Sequence, residues 1–137
     1  MENNSMTKPL FQKVDCVMLY VPDLEEALAF YRDRLGHRLV WRRPEAAGLA
    51  MPGTDTEILL HTGERRLEVD FLVDSADEAA REFEAAGGAV VVSPFDIQIG
   101  RCVVVKDPWG HVLTLLDMSK GRLITDAEGN IIGNEKP

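Results

Sequence analysis

Apolar residues run almost unbroken over Val14–Val21, then change at Pro22-Asp23 to a helical spacing. Leu24, Ala27, Leu28, Tyr31 and Leu35 share one face of that predicted helix. Asp23 is placed as its N-cap, with Glu26 three residues on completing a capping box, and Gly36 supplies the left-handed stop. The same succession returns downstream. Leu67–Val73 is a strand, Ser75 a cap with Glu78 as its partner, Ala76, Ala79, Ala80 and Phe83 an apolar face, and Gly87-Gly88 a stop. Three β-type runs follow each helix: 39–41, 48–51 and 57–61 after the first, 89–92, 102–106 and 112–117 after the second. Asp107-Pro108-Trp109-Gly110 joins the last two as a type I turn, and Met51-Pro52-Gly53-Thr54 takes the same part in the first half.

The two halves are in register. Shifted by 52 residues, Val17–Val40 overlies Val69–Val92 without a gap and shares Val17/Val69, Val21/Val73, Glu26/Glu78, Ala27/Ala79, Gly36/Gly88 and Val40/Val92. Six identities in 24 positions compare with about one or two expected from ordinary residue frequencies. Each half reads β-α-β-β-β. One helix covers one face of such a four-stranded unit, so the other face needs a partner. The predicted fold is therefore α+β: two tandem βαβββ modules, 13–63 and 64–118, whose sheets curl around a shared small-molecule cleft. Residues 1–12 are expected to be a flexible N-terminus. Residues 119–137 are a C-terminal extension with a β-hairpin around Asp126-Ala127-Glu128-Gly129.

Composition narrows the function. The chain has 137 residues, 45% hydrophobic and 28% charged, which suits one soluble domain. Its net charge of −8 argues against nucleic-acid partners, which require clustered cations, and against a membrane surface. Two cysteines, Cys16 and Cys102, make no disulfide framework. Met1–Gln12 lacks a signal-peptide apolar core, and the longest apolar stretch, 85–92, is far short of the roughly 20 residues of a membrane helix. A cytoplasmic location is expected.

The run Val17–Gly36, with Val21-Pro22-Asp23, Phe30-Tyr31 and Leu35-Gly36, resembles the opening of the vicinal oxygen chelate superfamily. Asp107-Pro108-Trp109-Gly110 is similar to its Asp-Pro-x-Gly turn. That superfamily includes glyoxalase I, bleomycin-resistance proteins, fosfomycin-resistance enzymes and extradiol dioxygenases. The resemblance covers about residues 13–118 and implies the paired-module fold, while leaving the reaction open. It also implies a divalent metal held by residues on the first and last strands of each module. Carried onto this chain, those positions are Cys16, Ile58, Glu68 and Thr114. Ile58 cannot ligate and Thr114 stands where the family usually has Glu, so the expected metal site is degenerate and no cofactor is expected. His61 and His111 each lie three residues from a ligand position and are assigned to the opposite strand face.

Strand phase places Cys16, Met18, Trp41, Ile58, Leu60, Glu68, Asp70, Thr114 and Leu116 in the cleft. Glu68 and Asp70 are the candidate base, or else a solvated pair near Arg101. Trp41 suits cleft or core, Trp109 a surface turn, Arg42 and Arg43 a rim, and His37 a loop. Cys16 reads as a small buried hydrophobe before a nucleophile. The expected function is small-molecule binding by a homodimer, with sequestration of an antibiotic or toxic metabolite as its form. The alternatives are a metal-dependent lyase, isomerase or dioxygenase with diverged ligands, and a metal-free enzyme using Glu68 or Asp70. A purely structural module is a third class.

Overall fold

Where the chain alternates between apolar and polar positions, one strand face packs on a helix and the other is turned away from it. A computed structural model describes residues 8–136. Strand β1 (Lys13–Tyr20) leads into α1 (Leu24–Leu28), β2 (Leu39–Arg43), β3 (Ala46–Met51) and β4 (Thr54–His61). The second half repeats the order with β5 (Glu68–Leu72), α2 (Ala76–Ala85), β6 (Ala89–Ile97), β7 (Gly100–Lys106) and β8 (Val112–Leu116). All eight strands form one curled sheet in the order β2-β3-β4-β1-β5-β8-β7-β6. In each half the first and last strands are parallel neighbours, and the other pairings are antiparallel. The halves meet where β1 and β5 pair antiparallel, so one chain supplies the whole sheet.

The two helices cover the same face of the sheet, each over its own half. Leu24, Ala27 and Leu28 pack with Ala47, Leu49 and Leu60 in one core, with Leu19, Leu39 and Ile58 against it. Ala76, Ala79 and Ala80 pack with Val73, Val103, Val105 and Leu115 in the other, where Phe71 and Phe83 join them. Both caps form: Asp23 Oδ1 accepts from the Glu26 amide at 3.0 Å and Ser75 Oγ from the Glu78 amide at 3.2 Å. Beyond Leu28 the first helix changes to π winding over Ala29–Arg34. That changes the angle per residue, so Leu35 leaves the expected apolar face and is 53% exposed.

Residues 8–12, expected to be flexible, are tied to the second half. Phe11 stacks on Phe71 at 4.7 Å, the Gln12 amide donates to Leu72 O, and the side chains of Lys8 and Gln12 both reach Asp74. Residues 1–7 lie outside the described part.

After β8 the chain forms a hairpin of β9 (Leu123–Thr125) and β10 (Ile131–Asn134). Its turn is held by Asp126 Oδ1, which accepts from the amides of Glu128 and Asn130. On one side the Arg42 amide of β2 donates to Gly129 O at 2.8 Å. On the other, Gln98 in the β6–β7 turn and Asn134 bond to each other through donors on both side chains. The tail thus touches structure at both ends of the strand order. Among the described residues no helix is long and apolar enough to cross a membrane.

Candidate functional site

The site is assembled by register. Cys16 pairs with Glu57 on one side and Asp70 on the other, and Asp70 pairs with Thr114. Directly paired residues project to the same sheet face. Glu57, Cys16, Asp70 and Thr114 therefore form a row across β4, β1, β5 and β8, on the face away from the helices. Leu59, Met18 and Glu68 lie on the same face one step along, with Leu116 at the other end of β8.

This register corrects two expectations. Ile58 and Leu60 do not face the cleft; they pack against α1 in the core of the first half. Ile58 and Leu60 belong to the helix side, which must be dry, and Glu57, Leu59 and His61 take the concave side. His61, assigned to the face away from the cleft, sits there against Tyr20, with ring centroids 6.2 Å apart. Glu57 and His61 were missed by one residue of phase. No signal within β4 separates the two faces, because Ile58, Leu59 and Leu60 are all apolar.

The row is polar yet mostly withdrawn from water. Asp70 is 6% exposed, and its Oδ2 accepts from the Cys16 thiol at 3.4 Å. Its Oδ1 and His61 Nε2 are buried without a hydrogen-bond partner among the described residues. Burial, reinforced by adjoining Glu68, pushes the Asp70 carboxyl up to about 9, so it keeps its proton at neutral pH. Burial also raises the Cys16 thiol, with Asp70 and Asp15 adding to the effect, which leaves Cys16 a poor nucleophile. Glu57 is raised by burial although the Trp41 indole opposes the shift. Asp15, at the register shift in β1, is raised by burial too.

Trp41 closes one end of the row. It is buried, and its Nε1 donates to Glu57 Oε1 at 2.8 Å. The ring lies across Gly48, where a Cβ would fall 2.0 Å from Trp41 Nε1 and 2.7 Å from Glu57 Oε1. Glycine is therefore required for the tryptophan to reach the carboxylate. Glu68 is held by Arg66 at 2.6 Å rather than by Arg101, which pairs with Asp77 and Asp96. Trp109 projects from its turn 81% exposed, outside the row, and His111 is bound to Asp107 at 2.8 Å. His37 Nδ1 lies 3.1 Å from Ala50 O.

The divalent ion that the resemblance implies would need several converging anionic or imidazole donors. Glu57 is committed to Trp41, Cys16 keeps its proton and donates it to Asp70, and Thr114 offers a neutral hydroxyl. Among the described residues no three His, Cys, Asp or Glu side chains come together in a way that could hold a metal. These residues do not fit a metal site of that kind.

A curled sheet of two matching halves, with a row of polar side chains on its concave face, defines a class of domain rather than one reaction. Residues 13–115 match the Glyoxalase/Bleomycin resistance protein/Dioxygenase superfamily, and the chain belongs to it. Over 106 residues it is 32% identical to an uncharacterized protein of Mycolicibacterium smegmatis, covering 74% of this chain and 90% of that one. It is 45% identical over 49 residues to the putative glyoxylase CFP32 of Mycobacterium tuberculosis, but this spans 35% of the chain and only 19% of that relative. Methylmalonyl-CoA epimerase from Mycobacterium tuberculosis has a similar structure, with a TM-score of 0.69 at 22% identity over 81% of this chain and 91% of that one.

Proposed function

We propose that this protein is a small-molecule-binding member of the superfamily whose metal site has degenerated, and that it sequesters an antibiotic or toxic metabolite. The observation that carries this reading is the Glu57–Cys16–Asp70–Thr114 row. Cys16 is bonded to Asp70 and Glu57 to Trp41, while Asp70 Oδ1 is without a partner among the described residues, so the row keeps oriented polar groups on a concave face. Because β1 and β5 pair within one chain, each molecule carries a complete row, and a homodimer would carry two. The reading also takes the protein to act in the cytoplasm.

A second reading is metal-free catalysis. The proton held on Asp70 favours it, with one change to the expected roles: Asp70 is suited to donate a proton rather than to accept one. Elemental analysis of protein purified without chelator, combined with thermal unfolding against an antibiotic and metabolite panel, tests the proposal. Ligand-dependent stabilisation with less than a tenth of an equivalent of divalent metal is the expected result. One equivalent of tightly held metal would overturn it in favour of a metal-dependent lyase, isomerase or dioxygenase.

A further inference from the structure

The chain is acidic as a whole, but its positive charge is concentrated. Residues 32–43 hold Arg32, Arg34, Arg38, Arg42 and Arg43 against the single acid Asp33, so a third of the 15 basic residues fall in 12 positions. The fold brings three of these arginines to the seam between β2 and the tail hairpin. One groove of about 660 Å³ runs between Arg42, Arg43 and Pro44 on one side and Gln98 and residues 130–133 on the other. A second, of about 630 Å³, lies between Arg32, Leu39 and Arg42 and the hairpin turn at 127–130. The two share Arg42 and Asn130, and each falls within the roughly 300–1,000 Å³ typical of small-ligand sites.

We propose that this seam, which adjoins the concave row at Trp41, is a second ligand site that takes a small molecule bearing two or more phosphate or carboxylate groups. The guanidinium of Arg43 lies over the Trp41 ring at 5.7 Å and has no carboxylate within ion-pair distance among the described residues. Arg42 is held by Glu25 at 2.7 Å, but the Glu25 side chain is 70% exposed and can be displaced by a bound anion. Among the described residues Arg32 pairs only with its neighbour Asp33. The opposite wall is held in place. Gly129 accepts from the Arg42 amide, and a Cβ on it would sit 3.0 Å from the Leu39 side chain. Planar guanidinium groups facing a preformed wall suit multidentate recognition of phosphate or carboxylate. The proposal does not depend on the reading of the concave face.

Titrating the full chain with tripolyphosphate and with citrate, each against sodium chloride of equal ionic strength, tests the proposal by calorimetry and thermal unfolding. Saturable binding of at least one probe beyond the salt control is expected. Tripolyphosphate alone would assign the site to phosphates, and citrate alone to carboxylates. Arg43→Gln should weaken binding about five- to tenfold. Arg34→Gln, in the same charged segment but outside both grooves, should leave it unchanged. No binding beyond salt, an unaffected Arg43→Gln, or equal weakening by the two variants would overturn the proposal.

Discussion

Asp70 shows how one side chain can link the concave face to the stability of the whole chain. An aspartate in the unfolded chain titrates at about 3.9. In the fold its carboxyl is raised to about 9, by burial first and by Glu68 second. The native state therefore keeps a proton that the unfolded state releases, and stability falls as pH rises between those two values. Glu57 and Asp15 are shifted in the same direction by burial and steepen the fall. Asp70→Asn keeps the shape and removes the largest of these contributions. Urea midpoints measured from pH 5 to 9 should decline for the native sequence and be flatter for the variant, which should be the more stable of the two at pH 8.5. Gly48 makes a second prediction. With a methyl group at that position the Trp41 ring must move off Glu57, because the space is already filled. Gly48→Ala should cost about 1–3 kcal/mol in denaturant unfolding and shift the tryptophan emission.

Among the elements, α2 depends on a residue far from it in sequence. Asp117 is buried just after β8, and its Oδ2 accepts from the Ala76 amide at 2.8 Å, at the start of the helix. Its Oδ1 accepts from the amides of Arg101 and Ser119 and from the Ser119 hydroxyl. One carboxylate therefore joins the helix start, β7 and the root of the tail. Asp117→Ala leaves three amides without their acceptor and should destabilise by at least about 2 kcal/mol in urea unfolding. Ser75→Ala, which removes only the helix cap, should cost about 1 kcal/mol in the same measurement. The difference separates a local capping effect from the wider network.

At the scale of the whole molecule, the tail decides how the curled sheet is finished. β2 and β6 are the two edges of the eight-stranded order. The hairpin bonds to β2 through Arg42 and to the β6–β7 turn through Gln98, so it ties the two ends together. A chain ended at Met118 should keep both helix-covered cores but lose these ties. Its unfolding temperature should fall by about 5 °C or more. The Arg42 amide, released from Gly129, should also exchange faster with deuterium.

Much of this fold is legible in the chain. The 52-residue repeat, the caps at Asp23 and Ser75 and the alternation along the strands all depend on neighbours close in sequence, and they place two β-α-β-β-β halves in one α+β domain. Cys16, Met18, Asp70 and Thr114 were legible as concave residues for the same reason: each follows the period of two on a strand whose other face is plainly apolar. Ile58 and Leu60 were not, because an isolated apolar alternation can serve either a helix or a ligand, and only the packing of α1 on β4 chose between them. Leu35 was misplaced because π winding is a response to packing, invisible in the spacing that suggests an ordinary helix. The sequence by itself determined the elements, their duplication and the superfamily. Tertiary structure decided the phase of β4, the pairing of β1 with β5 within one chain, and the closing of the sheet's ends by the tail. Each of those rests on contacts between residues 30 or more positions apart, which local pattern does not encode.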